Sequence, residues 1–96
     1  MPALYLTEAD VRELLDMEIA VDVVEEAFRQ LAQGGAMNVP RQRAHAEGIY
    51  LHTMSAVAAY LGCAGWKAYT STTHGAKFHV GLYSAKSGDL KALIEA

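Results

Sequence analysis

The hydrophobic pattern of this chain changes its period once, at Gly34 and Gly35, and this change divides the sequence into two parts. Before the glycines, apolar residues recur every three or four positions, as in amphipathic helices. After them, apolar and polar residues alternate, as in half-buried strands. Helices followed by a run of strands predict an α+β fold. We therefore predict a mixed, mostly antiparallel sheet of about six strands, with two N-terminal helices packed on one face.

The first part is expected to contain a short strand, residues 3–6, and the two helices. Thr7 and Asp10 have the spacing of a capping box, which predicts a helix from about residue 8 to residue 15. Asp16 is the predicted N-cap of the second helix, and Gly34-Gly35 is its predicted end. The second helix carries an apolar stripe that we expect to be buried core. Its members are Ala20, Val23, Val24, Ala27, Phe28 and Leu31.

The second part is expected to form consecutive strands joined by short turns. The first of them begins beside Pro40, which cannot donate to a strand ladder and therefore suits a strand start or an edge. Glu47-Gly48 is the predicted turn of a hairpin between the first two strands. The predicted strands cover residues 39–46, 49–56, 63–72, 77–84 and 89–95.

Length and composition exclude several classes of protein. A chain of 96 residues forms one domain, which we assign to residues 1–96. No apolar run reaches the ~18 residues that a membrane span needs, and residues 1–5 lack the pattern of a secretory signal. The net charge of -3 argues against a nucleic-acid partner. Cys63 is the single cysteine, which fits a reducing compartment, so we expect a cytoplasmic protein.

The charge is unevenly distributed between the two parts. Residues 1–33 hold eight acidic and two basic residues, whereas residues 34–96 hold three acidic and six basic residues. One interpretation is an acidic, solvated helical surface followed by an ordinary sheet. The other is a cationic sheet face that receives an anionic ligand group. Composition does not choose between them.

Strand alternation places polar side chains together, because residues two apart in a strand point to the same side. Arg41 can bind a carboxylate through two parallel hydrogen bonds. A partly buried Lys67 would suit proton transfer or polarisation of a carbonyl or imine. One predicted face carries Arg41, His52, Met54, Lys67 and Tyr69, and the opposite face, with Ile49, Leu51 and Trp66, would meet the helices.

Each of these residues also has an ordinary structural interpretation. Lys67 fits a surface lysine that extends its ammonium into water, and Arg41 fits a charge that protects a sheet edge. His52 fits a half-buried histidine with its hydrogen bonds satisfied. The sequence contains no GxGxxG, P-loop, HxxxH or CxxC motif, so it predicts neither a nucleotide site nor a metal site.

Six segments occur in the order seen in one known family: residues 5–11, 24–28, 40–41, 51–56, 65–70 and 82–96. Through them the chain resembles the N-terminal part of the ornithine cyclodeaminase/mu-crystallin family. The resemblance implies NAD(P)-dependent enzymes, longer than this chain, that deaminate or reduce amino, keto or imino acids. It also implies that this part is a sheet domain that binds the substrate and forms a homodimer, and that a Rossmann domain follows it.

By position, the resemblance assigns Arg41 to the substrate carboxylate and Lys67, as the catalytic residue, to the carboxylate or the reacting carbon. His52 and Met54 correspond to a stretch that lines the substrate pocket. Ornithine cyclodeaminase has an acidic residue where this chain has His52, so the resemblance favours a substrate other than ornithine. Ser55 stands where the family usually has proline. The family's Rossmann motifs have no counterpart within residues 1–96, so we expect no cofactor site and no hydride transfer by this chain alone.

Two functions therefore remain open. The first is a truncated or stand-alone substrate-binding and dimerisation domain of this enzyme family. The second is a non-catalytic homodimeric interaction module with an idle pocket. A metal or redox protein built on Cys63 and the four histidines is a third and weaker interpretation.

Overall fold

The structure, a computed structural model, describes residues 2–96 and confirms the predicted α+β fold class. It contains two α-helices and a mixed, mostly antiparallel sheet of six strands. In chain order the elements are β1 (Leu4–Leu6), α1 (Glu8–Leu14), α2 (Met17–Gln33), β2 (Met37–Ala46), β3 (Ile49–Ala58), a 3-10 turn (Ala59–Leu61), β4 (Cys63–Thr72), β5 (Gly75–Ser84) and β6 (Leu90–Glu95).

The five long strands form an antiparallel meander, and β1 completes the sheet at one edge. The spatial order is β1-β6-β5-β4-β3-β2, so that β2 lies at the other edge. β1 pairs in parallel with β6, with Leu4 opposite Ala92 and Leu6 opposite Ile94. The last strand of the meander, β6, therefore pairs with the N-terminal strand, β1.

Both predicted helix caps are confirmed. The Thr7 hydroxyl accepts a hydrogen bond from the Asp10 amide at 3.2 Å, and the Asp10 carboxylate accepts one from the Thr7 amide at 2.8 Å. The Asp16 carboxylate accepts a hydrogen bond from the Ile19 amide at 2.8 Å and so begins α2. Gly34, in the left-handed conformation with φ of 86°, ends α2.

The prediction that β2 begins beside Pro40 is wrong, because the strand begins at Met37. Pro40 lies instead within a β-bulge. Val39 is opposite Ser55, and the next paired residue, Gln42, is opposite Thr53, so two residues of β2 face one residue of β3. An edge strand tolerates this arrangement, because the missing N–H of proline and the unpaired residue of the bulge interrupt only one ladder.

The prediction that α2 buries its apolar stripe is also wrong for this chain. Val24 is 50% exposed and Phe28 is 68% exposed. Ile49 and Leu51, which were expected to meet the helices, are exposed as well. α1 contacts β1 and β6, whereas α2 borders an open groove of about 270 Å³ at the ends of β2 and β3. Hydrophobic periodicity identifies an apolar face but does not identify what covers it.

The chain is more open than a self-contained domain of its mass. Its accessible surface is 7274 Å², whereas a folded monomer of 10.4 kDa exposes about 5,400 Å². The radius of gyration is 14.6 Å, compared with about 12.5 Å for a compact domain of this length. Ala92 is the buried hydrophobic residue of the described part, and it lies on β6 within the sheet. Neither described helix has the length and apolar character that crossing a bilayer requires.

Candidate functional site

The strand register brings the predicted site residues onto one face of the sheet. Met54 of β3 lies directly opposite Lys67 of β4, and His52 lies opposite Tyr69. Side chains of directly opposed residues project on the same side of an antiparallel pair. These four residues therefore form a two-by-two block at the centre of the sheet.

The bulge in β2 adds Arg41 to this block. Pro40 and Arg41 together face Met54, and the extra residue changes the direction in which the strand presents its side chains. The Arg41 Nη1 atom donates a hydrogen bond of 2.9 Å to the Tyr69 hydroxyl, which belongs to a strand two positions away. Arg41 is exposed, and its guanidinium extends over the face that carries Lys67.

Lys67 is exposed, which agrees with its interpretation as a surface lysine. Its ammonium nitrogen lies 5.6 Å from the centroid of the Tyr69 ring and 5.2 Å from that of the Phe78 ring. Both distances are within the range of a cation–π contact. The two cations of the site, Arg41 and Lys67, thus meet at the same tyrosine, one at its hydroxyl and the other above its ring.

His52 is the buried polar residue of the described part, with 8% of its surface exposed. Its Nε2 atom lies 3.0 Å from the Ser71 hydroxyl, and its Nδ1 atom has no hydrogen-bond partner among the described residues. Burial lowers the pKa of His52, and the neighbouring charges of Arg43 and Arg41 lower it further. The ring is therefore neutral at pH 7, and it adds no third positive charge to the site.

A row of aromatic rings runs across four strands beneath the two cations. His52 stacks on Tyr69 with ring centroids 4.3 Å apart, and Tyr69 stacks on Phe78 at 4.5 Å. On the other side, His52 stacks on Tyr50 and Tyr50 on His45. The sequence analysis placed Tyr69 on this face but did not predict the row, because the partner of each ring depends on strand register.

An open groove of about 320 Å³ lies beside Met54 and Lys67. Its walls are mainly apolar, and Lys67 is the charged side chain among the residues that line it. The apolar side chains include Val39, Pro40, Met54, Val80 and Leu82. A groove of this kind suits the carbon skeleton of a small molecule whose anionic end reaches the cations.

The cations of this face have no acidic partner in the described part of the chain. Ion pairs within 4.0 Å occur on the helices, where Arg12 pairs with Glu8, and Arg29 pairs with Glu25 and Glu26. Arg41, Arg43 and Lys67 make no such pair among residues 2–96. The face therefore carries uncompensated positive charge, which attracts an anion from solution.

The interpretation as a metal or redox protein gains no support from the described residues. No group of three or more His, Cys, Asp or Glu side chains within residues 2–96 is arranged to hold a metal ion. Cys63 is a free, partly buried thiol whose nearest hydrogen-bond acceptor is the Leu61 carbonyl at 3.5 Å.

Comparison with solved structures shows that the whole chain matches one portion of several longer proteins. A probable ornithine cyclodeaminase from Bordetella pertussis Tohama I is 30% identical and superposes with a TM-score of 0.92, over 99% of this chain and 30% of that protein. An archaeal alanine dehydrogenase dimer with bound NAD is 31% identical with a TM-score of 0.92, over 100% of this chain and 32% of that protein.

A third similar structure supports the fold alone, because its sequence is more distant. The Delta(1)-pyrroline-2-carboxylate reductase of Thermococcus litoralis, in complex with NADH and L-proline, is 22% identical with a TM-score of 0.89, over 96% of this chain and 31% of that protein. This chain therefore spans about a third of the length of the proteins that it matches. No protein-family model matches the sequence, and no curated protein matches it either.

Proposed function

We propose that this chain is one domain of an enzyme of the ornithine cyclodeaminase family. In this proposal it binds the carboxylate of a small amino, keto or imino acid between Arg41 and Lys67. The observation that carries this proposal is the convergence of two unpaired cations at Tyr69, beside an apolar groove. The fold and the sequence similarity to an ornithine cyclodeaminase and an alanine dehydrogenase support it.

Each residue of the site has a separate task in this proposal. The Arg41 guanidinium donates two parallel hydrogen bonds to the carboxylate, which fixes the plane of that group. The Lys67 ammonium adds a point charge and a proton that it can donate to the carbonyl or imine nitrogen next to the carboxylate. Met54 and the apolar wall of the groove receive the side chain of the ligand.

The groove favours a ligand without a distal positive charge. The residues that line it include no carboxylate, and Lys67 is the charged residue among them. The ammonium at the far end of ornithine would find no counter-charge here and would lose hydration without compensation. A small acid with an apolar or cyclic side chain suits the site better.

The described residues, 2–96, do not fit a nicotinamide cofactor. A dinucleotide is held at the junction of a parallel strand and a helix that begins with glycines. The one parallel pair of the described sheet is formed by β1 and β6, and no glycine-rich turn lies between either strand and a helix. Two of the similar structures contain NAD or NADH. We assign that cofactor to longer members of the family, and this domain supplies the binding of the acid.

Isothermal titration calorimetry tests this function. The ligands are pyruvate, L-alanine, L-proline and L-ornithine, and the variant is Arg41→Ala. Arg12→Ala is the matched control, because Arg12 is an exposed arginine on α1 whose partner is Glu8. We expect the Arg41 variant to bind at least tenfold more weakly and the Arg12 variant to bind like the wild type, since a charged hydrogen bond contributes about 1.5–3 kcal/mol. Equal binding by all three proteins would refute the arginine site.

A second candidate function, homodimerisation, is favoured by the open surface of the chain. Its accessible surface of 7274 Å² exceeds that of a typical folded monomer of this mass by about 1,900 Å². A standard interface buries about 800 Å² on each partner, and an obligate one buries more. A second copy of the chain that covers α2 and the edge of the sheet would remove this excess. Light scattering at micromolar concentration should therefore give the mass of a dimer, and a monomer would contradict this candidate.

A further inference from the structure

We propose that Tyr69 is a positioning residue of the carboxylate site, because this one side chain fixes the place of both Arg41 and Lys67. The proposal rests on the function proposed above, since it explains how two cations on different strands come to serve one carboxylate. Tyr69 contributes two separate features: its hydroxyl accepts a hydrogen bond from Arg41, and its ring lies beneath the Lys67 ammonium.

The hydroxyl of Tyr69 restricts a side chain that is otherwise free. Arg41 lies on the edge strand β2, is exposed, and sits in a bulge that disrupts the local strand ladder. Its bond of 2.9 Å to Tyr69 is the one hydrogen bond that its guanidinium makes within the described part of the chain. A flexible arginine would have to lose rotamer entropy when the ligand binds, so a guanidinium held beforehand binds more tightly.

The ring of Tyr69 is itself held on both faces. His52 stacks on it at 4.3 Å and Phe78 at 4.5 Å, with interplanar angles of 14° and 24°. β4, which carries Tyr69, is a central strand with a neighbour on each side. The phenol is therefore fixed by packing and by the strand ladder, which is the support that an oriented binding group needs.

The same arrangement lowers the cost of bringing two positive charges together. The Lys67 ammonium lies 5.6 Å from the centroid of the Tyr69 ring, and the Arg41 guanidinium donates a hydrogen bond to the hydroxyl oxygen of the same residue. An exposed pair of cations without these contacts would separate into solvent. With them, both charges stay at one tyrosine, and an incoming carboxylate compensates one of the two positive charges.

The test compares Tyr69→Phe with the wild-type chain, using pyruvate, L-alanine and L-proline as calorimetric probes. Phenylalanine keeps the ring beneath Lys67 and the stack with His52, and it removes the acceptor of the Arg41 hydrogen bond. We expect roughly tenfold weaker binding, which corresponds to the lower end of the range for a hydrogen bond to a charged group. Tyr50→Phe is the matched control, because the Tyr50 ring also stacks on His52 but its hydroxyl is not bonded to Arg41. It should leave affinity unchanged.

A double-mutant cycle with Arg41→Ala separates a positioning role from a purely structural one. If Tyr69 acts through Arg41, adding Tyr69→Phe to Arg41→Ala weakens binding no further. If the affinity losses of the two single variants multiply in the double variant, or if Tyr69→Phe binds with wild-type affinity, the positioning role is overturned while the carboxylate site stands. Loss of binding that accompanies a lower melting temperature in Tyr69→Phe would also count against it. No effect of Arg41→Ala, or no binding of any probe by the wild type, would overturn the proposed function and this inference together.

Discussion

Replacing Phe28 by aspartate should convert the proposed dimer into a monomer. Phe28 is 68% exposed in the single chain, and it lies in the apolar stripe of α2. A buried phenylalanine removes about 200 Å² from water, so covering its exposed part removes about 140 Å². At about 25 cal/mol per Å², this burial is worth about 3.5 kcal/mol for each copy. In a two-fold dimer both copies lose this term, so the total of about 7 kcal/mol weakens association by about 10⁵-fold.

Light scattering and sedimentation at micromolar concentration measure this effect directly. Leu14→Asp is the matched control, because Leu14 is 67% exposed and lies on α1, which contacts β1 and β6, and not in the apolar stripe of α2. We expect Phe28→Asp to be monomeric and Leu14→Asp to remain a dimer. The reasoning is refuted if the wild type is already a monomer, or if both variants dissociate equally, because the α2 stripe would then not be the contact surface.

The other two predictions concern stability. The pKa of His52 is lowered from 6.5 in the folded chain. As the pH falls, His52 therefore takes up its proton first in the unfolded chain. The free energy of unfolding should decrease below about pH 6.5 as a result. Melting temperatures between pH 7.5 and 5.5 measure this, and His52→Gln should weaken the pH dependence. Gly81→Ala should lower the free energy of unfolding by about 1–3 kcal/mol in a urea titration, because its new Cβ would lie 2.2 Å from the Trp66 ring. Gly48→Ala is the control, because Gly48 has open space around it and a φ of 85°, and it should lower the free energy of unfolding by only about 1 kcal/mol. Equal losses in the two variants would argue against the clash with Trp66.

Strand alternation was sufficient to predict which side chains of each strand share a face. His52 and Met54 lie on one side of β3, and Lys67 and Tyr69 lie on one side of β4, because side-chain direction in a strand depends on the local backbone alone. The same holds for the helix caps at Thr7 and Asp16, which are contacts between residues three positions apart. These features need no knowledge of the rest of the fold, so the sequence was enough to predict them.

Features that depend on two strands at once could not be obtained in this way. The hydrogen bond between Arg41 and Tyr69 requires the bulge at Pro40 and the register of three strands. The stack of Tyr69 on Phe78 likewise depends on which residues of β4 and β5 are opposed. A shift of register by one residue would move each of these side chains to the other face. The contacts of Tyr69 with Arg41 and Phe78 therefore became known only from the structure.

The wrong prediction for α2 and the open sheet have one physical explanation. The apolar face of an amphipathic helix is normally buried, and in a monomeric fold the residues that cover it belong to the same chain. Here the sheet covers little of the apolar face of α2, since Phe28 is 68% exposed and the chain presents 7274 Å² to solvent. The proposed carboxylate site does not depend on that cover, because the ladders between strands hold Tyr69 and Lys67 in place. The proposed binding of a small acid and the proposed association of two chains rest on different side chains, Arg41 and Lys67 for the acid and Phe28 for association, so each can be measured in a variant that lacks the other.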